Sequence, residues 1–187
     1  MNEQIIKDSF KPLINELAWN VKKGHGSFLT FEFGTPNLEI GEPKIWKTLP
    51  FPSNEHPTRQ TTVRGDFHLW IYCCNWKIQI KDKQIAFEES SDEEIQKATE
   101  YLNGQKLVSI VINTKTARTI FKFDLGGELL TFNQSYEPET EMWMLYMPKN
   151  ILIFNNLGQF CLIDKDEDVK EEKFVTVESE LININTT

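Results

Sequence analysis

The stretch Val63–Ile80, VRGDFHLWIYCCNWKIQI, constrains the fold more than any other part of this chain. Within it Phe67, Leu69, Ile71 and Cys73 alternate with Asp66, His68, Trp70 and Tyr72. A period of two belongs to an extended strand with one face on a core. Trp76, Ile78 and Ile80 resume the apolar alternation after a bulge or turn at Cys74-Asn75. The chain is therefore expected to be built around antiparallel sheet.

The rest of the pattern fills in around that strand. Residues 2–22 read as helical, with Ile5, Ile6, Phe10, Leu13, Ile14 and Leu17 at helical spacing. Pro12 interrupts them, and Ser9 is placed to cap a second short helix with Pro12 in its first turn. Gly24-His25-Gly26 is expected to stop the helix. Ser27–Phe33 reads as a strand with Leu29, Phe31 and Phe33 on one face and Phe28, Thr30 and Glu32 on the other. A turn at 34–37 leads to a return strand at Leu38–Ile40, and residues 41–62, with Pro43, Pro50, Pro52 and Pro57, read as a long loop.

Glu88–Asn103 contains a second helix, capped by Ser90 or Ser91 with a glutamate three residues on. Ile95, Ala98, Tyr101 and Leu102 form its expected buried stripe, and Gly104 ends it. From Lys106 the chain reads as a meander of strands at 107–112, 118–123, 129–132, 142–147, 151–154 and 160–163. Turn residues at Gly126-Gly127, Pro148–Asn150 and Asn155–Gly158 separate them. Residues 164–173 are a charged run, and ESELININTT is a frayed end or an edge strand.

The fold class is thus α+β: mainly antiparallel sheet, or a partly open barrel, of about eight to ten strands, with an N-terminal helix and one middle helix. At 187 residues the chain suits one domain over 1–187, with an alternative division into 1–88 and 89–187. A domain of this size buries roughly 70% of its unfolded surface, so it needs neither disulfide nor metal for its core. Thirteen Phe and five Trp supply large apolar groups.

Charge and cysteine content narrow the setting. Twenty basic against 28 acidic residues give a net charge of −8. That balance keeps a protein soluble, and it disfavours phosphate backbones and anionic lipid as partners. No run of 18 apolar residues and no secretory signal is visible. Cys73, Cys74 and Cys161 are odd in number and lack Cys-x-x-Cys spacing, which points to reduced thiols in the cytoplasm.

Several residues are candidate sites. If the strand holding Thr30 and Glu32 pairs with the one holding Asp66, His68, Trp70 and Tyr72, these six groups line one surface. It is suited to a polar small molecule or to acid–base work. The alternative is the solvent face of a half-covered sheet, with Trp70 and Tyr72 under the N-terminal helix. His25, His56 and His68 with Glu32 or Asp66 lack the tight spacing of a metal site, so no metal and no cofactor is implied. By alternation Cys74 falls on the polar-aromatic face and Cys73 on the apolar one, and neither has an activating group placed by sequence. Gly24-His25-Gly26-Ser27 reads as a turn, not a nucleophile motif. Asp92–Glu94 and residues 164–172 are acidic clusters that suit either a basic protein partner or ordinary solvent. Trp46 and Phe51 in the proline-rich loop suit a partner's pocket or the chain's own core.

Two segments carry a resemblance. Leu102, Gly104, Leu107, Val111, Asn113, Phe121, Phe123, Gly126, Gly127 and Leu129 together resemble a β-rich module of small uncharacterised bacterial families. Met142–Phe160, MWMLYMPKNILIFNNLGQF, resembles the Trp-plus-hairpin ending that follows it. With GHGSFLTFEFG at Gly24–Gly34 and HLWIYCCNW at His68–Trp76, the chain looks like a bacterial family of unknown function. Neighbours of such families include immunity proteins, which bind and neutralise toxins. The resemblance implies no catalytic residue. The expected function is therefore binding of a protein partner in the immunity manner, the alternative being a small-ligand-binding protein or enzyme that uses the polar-aromatic face. Partner identity and oligomeric state are not encoded in any motif.

Overall fold

The alternation in Val63–Ile80 becomes three strands, not one, and the two breaks in it set the architecture. The computed structural model describes residues 3–42, 59–133, 137–165 and 173–185. In chain order, α1 (Glu3–Phe10) runs into a 3-10 turn (Lys11–Leu13), followed by β1 (Trp19–Lys23), β2 (Leu29–Phe33), β3 (Asn37–Gly41), β4 (Gln60–Arg64) and β5 (Phe67–Ile71). Then come β6 (Asn75–Ile80), β7 (Lys83–Phe87), α2 (Asp92–Leu102), β8 (Leu107–Asn113), β9 (Arg118–Phe123) and β10 (Gly127–Phe132). The remaining strands are β11 (Glu141–Tyr146), β12 (Asn150–Asn155), β13 (Phe160–Asp164) and β14 (Leu181–Asn185).

The strands form two open six-stranded antiparallel sheets and a hairpin, so the class is α+β and mostly sheet, without barrel closure. The first sheet has the order β1-β2-β5-β11-β12-β13, the second β14-β8-β9-β10-β6-β7, and β3-β4 stands as a separate pair. The sheets pack face to face. Phe31 on β2 stacks on Phe123 of β9 with ring centroids 6.2 Å apart. Trp143 on β11 donates its indole N–H to Thr119 Oγ1 on β9 at 3.0 Å, and Trp76 on β6 donates to Ser27 O at 2.6 Å. Both indoles are fully buried, so these bonds satisfy donors that would otherwise be orphaned. One contiguous core holds residues of both sheets and both helices, and each sheet draws strands from either side of residue 88.

The helices seal the sandwich. Phe10, at the end of α1, meets Trp143 edge-on at 5.5 Å. Pro12 sits in the 3-10 turn, where a proline needs no amide donor. Ser9 does not cap that turn: its hydroxyl donates to Ile5 O, one turn back in α1. Beyond Ile14 the expected helix gives way to extended chain, because Asn15 and Glu16 exchange backbone bonds with Leu107, and Ala18 with Gly104 and Gln105, that a helix would deny them. Gly24–Gly26 therefore joins β1 to β2 and does not end a helix. Helix α2 packs against β1 and β7, edge strands of the two sheets. Its N-terminus is a full capping box, with Ser91 Oγ accepting from Glu94 N–H and the Glu94 carboxylate accepting from Ser91 N–H. Ile95, Ala98 and Leu102 are buried as expected, but Tyr101 is 63% exposed and Thr99 takes the buried place.

The meander crosses between sheets, which local patterning does not register. Strands β8–β10 join the second sheet and β11–β13 the first, and β14 returns to edge the second sheet beside β8. The chain changes sheet between β5 and β6, at Tyr72–Cys74. That corner reverses the expected cysteine placement: Cys74 is buried in the core and Cys73 is half-buried. The expected loop over 41–62 contributes Gly41 to β3 and Gln60–Thr62 to β4, and the readings of Trp46, Phe51 and His56 lie outside the described residues. Among the described residues no helix is long and apolar enough to cross a membrane.

Candidate functional site on the outer face of the first sheet

Strands β2 and β5 are antiparallel neighbours with Glu32 opposite His68 and Thr30 opposite Trp70. Leu29, Phe31, Phe33, Leu69 and Ile71 point into the core, so the alternate residues face outward. Pairing of β5 with β11 sets Tyr146 beside His68 and Met144 beside Trp70 on the same outer face. Four of the six singled-out residues are thus neighbours: Thr30, Glu32, His68 and Trp70.

Glu32 is the centre of this arrangement. It is 0% exposed although it points away from the core. Its Oε1 accepts from Arg64 Nη1 at 2.9 Å and lies 2.9 Å from His68 Nδ1, while Oε2 accepts from Gly65 N–H at 2.9 Å. Burial pushes its carboxyl up, but the hydrogen bonds from His68, Gly65 and Arg64 outweigh that and hold it below the ordinary carboxylate value. An ionised carboxylate only accepts, so His68 Nδ1 must carry the proton of the shared bond. In the neutral ring, Nε2 is then left as an acceptor. Arg64 Nη1 is 3.3 Å from His68 Nδ1 and 3.5 Å from Nε2. With Nδ1 donating to Glu32, Nε2 is the ring nitrogen placed to accept from the Arg64 guanidinium.

Gly65 is where the chain turns from β4 to β5, and its backbone presses on Phe33. A Cβ there would lie 2.8 Å from Phe33 N and closer still to Phe33 O. Only glycine permits the approach that aims its N–H at Glu32. Asp66 serves the next turn. Its Oδ2 accepts from Thr35 N–H at 2.8 Å and its Oδ1 from Asn37 Nδ2 at 3.1 Å. The bond from the Thr35 amide, with those from the Thr35 and Asn37 side chains, holds the Asp66 carboxyl below its ordinary value despite some desolvation.

These groups border a pocket of about 260 Å³ lined by Glu39, Arg64, Gly65, Asp66, His68, Trp70, Tyr146 and Lys165. Tyr146 lies 5.6 Å from the His68 ring and 6.5 Å from Trp70, and Lys165 Nζ sits 5.9 Å from the Tyr146 centroid. Arg64 Nε faces Glu39 at 3.9 Å. Tyr72 is set back from the pocket. It extends an aromatic row, with its ring 4.8 Å from Trp70 and 4.6 Å from Phe28. The neighbouring Cys73 and burial push its phenol above the ordinary value. Trp70 and Tyr72 thus pack beside Phe28 on the outer face and not under α1. The Thr30 hydroxyl oxygen, beside Trp70, is buried without a hydrogen-bond partner.

Residue-by-residue reading of the strands misses Glu39, Arg64, Gly65, Tyr146 and Lys165. Tyr146 has a signal, since it alternates with Leu145 in MWMLY, but its place beside His68 needs the β5–β11 pairing. A larger groove of about 570 Å³ lies between α1 and β14, lined by Gln4, Lys7, Lys11, Asn183 and Asn185 among others. Its polar side chains are surface groups with no buried charge behind them. Among the described residues no three His, Cys, Asp or Glu side chains gather as a metal set, His25 is exposed in the β1–β2 turn, and all three cysteines are free. No protein-family model, curated protein or solved structure matches this chain.

Proposed function

We propose that this protein binds a small polar molecule in the pocket between His68, Trp70 and Tyr146. The observation that carries the reading is the fully buried Glu32 carboxylate with three donors on it. Burying a charge on the outer face of a sheet is costly, and a strand can fill that position without one. What the arrangement gains is an imidazole and a guanidinium held in fixed positions at the pocket. A few oriented polar groups between aromatic walls are the usual make-up of a small-ligand site. The same geometry suits general acid–base work at His68, where a carboxylate fixes ring and tautomer. The test is a fragment screen by ¹H–¹⁵N NMR on the labelled chain. Fragments that bind should shift Gly65, His68, Trp70 and Tyr146 together. Hits that cluster elsewhere and spare these four would refute the reading.

A second reading has its own observation. On the β3–β4 hairpin Leu38 lies opposite Val63, and both are exposed, as is Ile40. Solvent-facing apolar groups on a two-stranded hairpin suit a protein partner. This supports the immunity-type reading, in which a bacterial, cytoplasmic, acidic protein captures a toxin. Binding of a toxin encoded beside the gene, weakened by Leu38→Asp, would favour it. Unchanged binding in that variant would remove the hairpin from the interface.

A further inference from the structure

The charges around the pocket select among small polar ligands. Two carboxylates, Glu39 and Asp66, and two cations, Arg64 and Lys165, line the same small space. Glu32 adds a buried negative charge behind His68. An anionic ligand would lie against Glu39 and Asp66, and a cationic one against Arg64 and Lys165. Either would bring like charges together at short range, which is unfavourable. A neutral ligand avoids both penalties.

The hydrogen-bonding groups narrow it further. Arg64 and Lys165 only donate, and Glu39 and Asp66 only accept. A compact molecule can answer such a mixed set with groups that donate and accept from one atom. Hydroxyls do this, and amides or carboxylates do not. The walls are aromatic, and the electron-rich faces of Trp70 and Tyr146 attract the weakly positive C–H bonds of a saturated ring. At about 260 Å³ the pocket falls below the roughly 300–1,000 Å³ typical of drug-sized ligands, which suits a single ring.

We infer that the ligand is a neutral polyhydroxylated ring, a single monosaccharide unit, with its C–H face on Trp70 and its hydroxyls shared among Glu39, Arg64 and Lys165 beside His68. The inference rests on the pocket being a ligand site, as proposed above. It predicts stacking at the aromatic wall together with hydrogen bonding beside His68, so two reporters must respond to the same titration.

The experiment titrates the ¹⁵N-labelled full chain with glucose, galactose, mannose and N-acetylglucosamine. Inorganic phosphate, choline and leucine serve as anionic, cationic and zwitterionic probes. The reporters are the Trp70 indole N–H and the His68 ring nitrogens. At least one sugar should shift both reporters saturably, and the three charged probes should not. Trp70→Ala should weaken that sugar at least tenfold. The exposed Glu39→Gln, which keeps the shape of the side chain, should weaken it several-fold if Trp70→Ala does not fold. Saturable binding of a charged probe at these reporters, with no response to sugars, overturns the ligand class and leaves the pocket as a site. Silence from all seven compounds, while the fragment screen still finds the pocket, also overturns the sugar assignment. Silence in both experiments overturns the site as well.

Discussion

Replacing Glu32 with glutamine tests whether the buried carboxylate organises the site. The amide is nearly isosteric, so the core beneath it is undisturbed. Yet it offers one oxygen and one NH₂ where the protein supplies donors on both sides. With its oxygen toward Arg64 and His68, the NH₂ confronts Gly65 N–H. Turned over, it confronts Arg64 and His68. One buried donor is therefore orphaned in either orientation, at about 1–3 kcal/mol, and the remaining bonds lose their charge assistance. Breaking a buried ion pair costs about 3–5 kcal/mol in general. Arg64 keeps a third of its side chain in water and can rehydrate, which discounts that figure. The expected loss is about 2–4 kcal/mol at pH 7, or a fall in Tm of roughly 4–16 °C for a chain of this length.

The pH dependence supplies a second and sharper check. The folded carboxyl of Glu32 titrates below its unfolded value, which is about 4.3. Its stabilisation is then complete above that value and is lost as the pH falls through the lower folded one. Urea unfolding of the wild type and Glu32→Gln at pH 7, and then stepwise from 5 to 3, should show a gap that stays open to about pH 5 and narrows below it. A gap under about 1 kcal/mol at pH 7 would refute the reasoning, since exposed pairs give no more than that. So would a gap that persists unchanged at pH 3.

Three further outcomes follow from the packing. Gly65→Ala should destabilise by about 1–3 kcal/mol in urea melts, because its new Cβ meets Phe33 backbone atoms that cannot step aside. Ser91→Ala, which removes half of the capping box on α2, should cost about 1 kcal/mol and leave ligand binding unchanged. Burial raises the thiol of Cys74 far above the ordinary value, and Cys161 is also buried. A thiol-reactive dye at pH 8 should therefore label only Cys73 within minutes, and all three cysteines after unfolding.

Much of the fold is legible wherever one face of an element is apolar. The alternation of Leu29, Phe31 and Phe33, the capping box at Ser91 and the stripe at Ile95, Ala98 and Leu102 all report a one-sided environment, and local periodicity encodes it. Strand β7 shows where that stops. Its hairpin turns at Lys81-Asp82, both with positive φ, and carries no glycine or asparagine to announce the turn. The helical reading of residues 14–22 fails for a related reason. Asn15 and Asn20 take positive φ to bend the chain onto the start of β8 and into a bulge against β2, and a hydrophobic count is blind to such bends.

The site divides in the same way. Thr30, Glu32, His68 and Trp70 are readable because each strand shows a polar face, and Glu32 and His68 fall opposite one another once those faces align. Arg64 is hidden because the strand pattern runs on through Gly65, although the chain turns there. Tyr146 and Lys165 are hidden because sheet order, a property of the whole chain, brings them in from more than 75 residues away in sequence. Asp66 and Tyr72 alternate correctly, yet one is spent on a turn and the other on an aromatic row.

The histidine nitrogens themselves give the most direct test. A long-range ¹H–¹⁵N spectrum of the imidazole rings, recorded above the pH at which they are charged, reports which nitrogen carries the proton. For His68 the account predicts a protonated Nδ1, bonded to Glu32, and a bare Nε2. A protonated Nε2 would mean that the ring does not donate to Glu32 and offers no acceptor to Arg64 there, which contradicts the proposed site at its centre.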